Sequence, residues 1–125
     1  MRVLRIFAAL LLGAATPALS QQAFSKSMLE CSVIYDEVTR IGTTAARTPE
    51  RLAQARSWSD AFSKAAAVQA RQEGQRDVDG YSAGLRAELE QKWSGRFASI
   101  QKLQENKDWL GYCRSFGRAR GILPD

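Results

Sequence analysis

Cys31 and Cys113 are the only two cysteines in a chain of 125 residues that has no histidine. Two cysteines allow one pairing. Closing a loop of roughly 80 residues removes about 4–5 kcal/mol of denatured-state entropy in the chain-entropy model. No Cys-x-x-Cys spacing is present to suggest a redox role. A structural Cys31–Cys113 disulfide is therefore expected. The missing histidine removes the commonest general base, nucleophile activator and metal ligand together. No Gly-x-Ser-x-Gly, phosphate loop or dinucleotide fingerprint takes its place.

The carboxylates offer little more. Asp77-Val78-Asp79-Gly80 has the spacing of part of a calcium loop. Setting Asp79 and Gly80 at loop positions five and six puts Gln75 at position one and Arg86 at position twelve, where acids are required. The segment reads instead as a helix-capping turn. Glu88 and Glu90 point to different sides of a helix, and Glu88–Lys92 and Arg86–Glu90 are i,i+4 pairs of a solvated face. No catalytic, cofactor or metal site is expected.

The segment Asn106–Leu123 puts Trp109, Tyr112 and Phe116 beside Arg114, Arg118 and Arg120. At about 100° per residue, Trp109, Tyr112, Cys113, Phe116 and Arg120 share one side of a helix, and Arg114 and Arg118 the other. Aromatics and arginines are thus separated, unlike the interleaved surface that stacks on nucleic acid. The aromatic side is expected to face the core. Leu29 and Val33, four apart, fall among the charges of the first helix. Packing against another helix is preferred for them over a small exposed apolar patch. Leu29, Val33, Arg114 and Arg118 are the candidate partner contacts.

These residues must be held by helices, because helical periodicity is present and strand alternation is not. Phe24, Met28, Cys31, Tyr35 and Val38 form one face, opposite Lys26, Glu30, Asp36, Glu37 and Arg40, and the helix should end near Gly42 or fray toward Ala46. Thr48-Pro49-Glu50 starts a second helix running to about Glu73. Its apolar face is Trp58, Ala61, Phe62, Ala65, Ala66 and Val68. Asp77 or Asp79 caps a third, whose row Tyr81, Leu85, Leu89, Trp93 drifts about 40° per step. A kink or break is expected near Gly95, with Phe97, Ile100 and Leu103 forming a second row. Asn106 should cap the last helix, and Gly121 with Pro124 should end it. The fold class is all-α: a small antiparallel bundle of about four helices with one disulfide.

The first residues form a secretory signal: Arg2 and Arg5, an apolar core from Ile6 to Ala15, and Ala18-Leu19-Ser20 before a cleavage after Ser20. That core, about ten residues, is too short to span a bilayer. No cysteine lies near enough to carry a lipid. The expected domains are residues 1–20, cleaved, and 21–125, one helical domain. Loss of Arg2 and Arg5 lowers the net charge from +5 to +3, a thin surplus that argues against nucleic acid. The expected product is exported (periplasmic or secreted), soluble and not anchored, and acts by binding an unidentified protein partner as an inhibitor, adaptor or envelope accessory protein. The alternative is peripheral membrane contact or lipid handling through its basic C-terminal end.

Overall fold

The computed structural model describes residues 22–40 and 48–125. The expected signal segment, and the stretch from Gly42 to Ala46 where the first helix was expected to end, lie outside the described residues. The described residues form five helices: α1 (Phe24–Thr39), α2 (Pro49–Gln72), α3 (Val78–Trp93), α4 (Ile100–Glu105) and α5 (Lys107–Ala119).

Local chemistry sets most of these boundaries. The Thr48 hydroxyl accepts from Arg51 N at 3.3 Å, with Pro49 opening α2. Asp77 accepts from Gly80 N at 3.0 Å to start α3, and Ser99 from Lys102 N at 3.1 Å to start α4. The C-termini of α2 and α5 share one device. Gly74 N bonds Arg71 O and Gln75 N bonds Ala70 O; Gly121 N bonds Arg118 O and Ile122 N bonds Gly117 O. Both are Schellman closures, with Gly74 and Gly121 at φ +93° and +70°. Asn106 stands at the N-cap position of α5 as expected, but its side chain makes no capping bond there. Its amide donates instead to Arg96 O and Lys102 O at 2.9 and 3.0 Å, satisfying carbonyls at the α4–α5 corner.

The expected break after Trp93 is present. Gly95 takes φ +73°, and the chain restarts as the short α4. Phe97 is fully buried, but Ile100 is exposed and Leu103 half-buried, so the second row is only partly a core row.

α1 is the centre of the molecule, packed against α2, α3 and α5. It buries residues all round: Met28, Cys31 and Tyr35, but also Leu29, Val33 and Ile34. Leu29 and Val33, at 2% and 0% exposed, are core residues that no partner can reach. Their place among the partner contacts is corrected, and packing is the reading that holds. The supposed solvent face is corrected with them. Glu30 and Glu37 are buried, and Phe24 at the start of the expected core face is exposed. Glu30 meets Lys92 of α3 at 2.9 Å, and Glu37 lies 3.7 Å from Arg40. Burial raises the Glu37 carboxyl above its ordinary range against the opposing pull of Arg40.

Small side chains bring α1 and α2 close. Ser32 Oγ donates to Ser59 O at 2.7 Å, and Ser59 Oγ donates to Ser32 O at 2.8 Å. Arg86 of α3 donates to Ser32 Oγ and Ser63 Oγ, so the crossing polar groups are satisfied. The α2 face turns slightly from the expected one: Leu52, Ala55, Ser59, Phe62, Ala66 and Ala70 are buried, and Val68 is exposed. α5 runs antiparallel to α1. The Cys31–Cys113 disulfide, with Cα atoms 5.5 Å apart, joins them. Tyr35 O–H donates to Leu110 O at 3.2 Å nearby. Burial pushes that phenol up to about 12, opposed by Arg114 and Arg118.

Candidate functional site

The chemistry of the surface is set by the rotation of α5. Its buried residues are Cys113 and Gly117, with Leu110 half-buried beside them. These step by three and four and so define one helical side. Gly117 lets the chain's own tail lie against it: an ideal Cβ there would stand 2.6 Å from Leu123 Cγ and 2.8 Å from Phe62 Cζ. Trp109, Tyr112 and Phe116 are consequently turned to the flank. Trp109 is 38% and Tyr112 48% exposed, and Phe116 is half-buried. The expectation that this side faces the core holds for Cys113 and in part for Phe116, which packs against the core, and is corrected for Trp109 and Tyr112. The disulfide and a glycine, not the rings, dock α5 on α1.

The three rings form a ladder. Trp109 meets Tyr112 edge-on with centroids 5.9 Å apart, and Tyr112 stacks near-parallel on Phe116 at 5.8 Å. The ladder is anchored at both ends. Trp109 sits edge-on against buried Trp93 at 5.0 Å, and Phe116 stacks on buried Phe62 at 6.3 Å. Such contacts hold the rings in place while leaving part of each in water.

Opposite the ladder lie the first turns of α1 and the last turns of α2. Together they enclose an open cleft of ≈ 920 Å³. From α1 and the residues before it come Gln22, Ala23, Phe24, Ser27 and Glu30, and from α2 come Gln69 and Glu73. Lys92 of α3 and Asp108 of α5 complete the wall. Phe24, 46% exposed, is held from behind by Arg120, whose guanidinium lies 3.7 Å from its ring centroid. Arg120 also reaches Phe116 at 5.7 Å, tying the end of α5 to the start of α1.

Hydrogen bonding fixes the α1–α2 edge of the cleft. Glu73 accepts from Ser25 N at 3.1 Å, from Ser25 Oγ, and from Gln69 Nε2 at 3.1 Å. Burial opposes the charge on Glu73, but these three donors outweigh it and hold the carboxyl below its ordinary range. Ser25 Oγ also lies 2.8 Å from the Tyr81 hydroxyl of α3. Glu73 is thus a preorganised carboxylate bonded to α1 and α2 directly and linked to α3 only through Ser25. The buried carboxylate of the cleft, Glu30, is bound to Lys92 at 2.9 Å.

Arg114 and Arg118 stand apart from the cleft on the exposed outer side of α5. Arg118 Nε donates to Pro124 O at 3.3 Å, which gives it a part in holding the tail. None of the four expected partner contacts lines the cleft. Residues missed as surface features are Phe24, Trp109 and Tyr112; for the two on α5 the legible signal was the alternative row Leu110, Cys113, Gly117, and for Phe24 there was none. Among the described residues, no group of histidine, cysteine and carboxylate side chains is arranged to hold a metal. No helix among them is long and apolar enough to cross a membrane. The fold and cleft define a small disulfide-closed helical protein that carries an aromatic surface groove. No protein-family model, curated protein or solved structure matches the chain.

Proposed function

We propose that this is an exported binding protein, of inhibitor, adaptor or envelope-accessory type, that engages a partner polypeptide through the aromatic cleft. The observation that carries the reading is convergence. Of the five large apolar side chains exposed among the described residues, Phe24, Trp109 and Tyr112 line one cleft. Exposed Trp and Tyr held rigidly on helices are the residue types that dominate protein interfaces, because they add contact area at low entropic cost. Engagement of Glu30 by Lys92 and of Glu73 by Ser25 favours binding over acid–base chemistry. Export is supported by the three-part N-terminal segment of the sequence and by the buried disulfide, which suits an oxidising compartment.

A photo-crosslinking residue placed at position 112, with the same residue at exposed Val68 as control, tests the reading in the protein's own envelope fraction. A discrete protein adduct is expected from position 112 and not from position 68. Equal labelling from both positions, or no adduct from 112, would refute it.

A further inference from the structure

The cleft's own contacts indicate what kind of side chain it accepts, an inference that rests on the binding role proposed above. Cations already cover most of the surrounding rings. Lys92 Nζ lies 5.8 Å from the Trp109 centroid and 5.5 Å from that of Trp93, and Arg120 covers Phe24 and Phe116. Among the described residues no cation covers Tyr112, the most exposed ring of the ladder and the one between these two. Charge points the same way. The lining holds three carboxylates, Glu30, Glu73 and Asp108, against one cation, Lys92, and Arg120 adds a second cation at its edge, on Phe24 and Phe116. Lys92 is committed to Glu30 at 2.9 Å, and neither Glu73 nor Asp108 is in an ion pair among the described residues. The cleft therefore keeps an excess of negative charge on a chain that is +3 once Arg2 and Arg5 leave with the proposed signal segment. An aromatic face flanked by carboxylates attracts a cation by quadrupole and by Coulomb terms together.

We propose that the cleft receives an arginine or lysine side chain of a partner polypeptide, its cation on the Tyr112 ring and within reach of Asp108 and Glu73. The basic residue is the anchor, and Phe24 and Trp109 contact the apolar residues on either side of it. The partner is thus a basic peptide segment, and the acidic cleft excludes anionic segments and anionic lipid headgroups.

The test uses the disulfide-intact full chain and three short acetylated, amidated peptides, Leu-X-Leu, in which X is arginine, its neutral isostere citrulline, or glutamate. The Trp109 indole and Tyr112 ring signals are followed by NMR. Saturable shifts are expected with arginine, with citrulline binding about tenfold more weakly and glutamate not detectably. Asp108 is exposed in the first turn of α5, so Asp108→Asn should lower the melting temperature only slightly. It should weaken arginine binding several-fold without altering citrulline binding. Equal binding of arginine and citrulline, preference for glutamate, or the absence of any saturable shift overturns the inference. These outcomes are separable from failure of the underlying role. A position-112 adduct together with no arginine preference sinks only the basic-anchor inference, whereas loss of the adduct sinks the binding role itself.

Discussion

At the scale of single residues, Gly117 decides more than any side chain of its helix. The space where its Cβ would stand is filled by Leu123 and Phe62, and its carbonyl accepts from both Ile122 N and Leu123 N. Gly117→Ala should cost about 1–3 kcal/mol, the usual penalty for overpacking a filled site. It should also speed amide exchange at Ile122 and Leu123, because Leu123 must be displaced. A variant with unchanged melting temperature and unchanged exchange would show that the tail does not depend on this contact. The sequence alone gave little warning, since a glycine adds nothing to a count of apolar side chains. Trp109, Tyr112 and Phe116 therefore dominated the assignment of the inner side. Leu29 and Val33 show the opposite case. Their apolar character among charges was visible, and full burial in the structure gives the preferred explanation of it.

At the scale of elements, the caps and breaks were largely legible because they depend on a few adjacent residues. Thr48-Pro49, Asp77, Gly95 and Gly121 each act where expected. Asn106 takes the expected N-cap position, but its side chain satisfies carbonyls behind it and not amides ahead of it. Gly95 has open space around its Cβ position, so its role is purely conformational. Gly95→Ala should destabilise the fold by about 1–2 kcal/mol, the cost of a left-handed residue with a side chain, with an unchanged denaturant slope. Unaltered stability in urea titration would mean that the α3–α4 break is not held in that conformation. The face of α1 was the least legible feature. Periodicity reports one apolar stripe, but it cannot report that a helix has neighbours on three sides. Glu30 looked solvated because its cation, Lys92, comes from another helix, whereas Glu37 already had Arg40 on its own face and only its burial was hidden.

At the scale of the whole molecule, the disulfide spans 82 positions and joins the central helix to the last one. Replacing both Cys31 and Cys113 with alanine should lower stability by about 2–5 kcal/mol, read as a shift in denaturant midpoint. A loss well below that range would show that Tyr35–Leu110, Arg120–Phe24 and the Gly117 seat hold α5 without covalent help. By itself the sequence determined the helical class, the break after Trp93 and the cysteine pairing. Helix periodicity and caps act over one or two turns, and two cysteines admit a single connection. Only the tertiary structure decided which side of α5 is buried, that α1 is enclosed, and that three exposed rings meet across a cleft. Those outcomes depend on how helices far apart in sequence share a core, where a tail leucine filling the place of one missing Cβ turns an aromatic row from the interior to the surface.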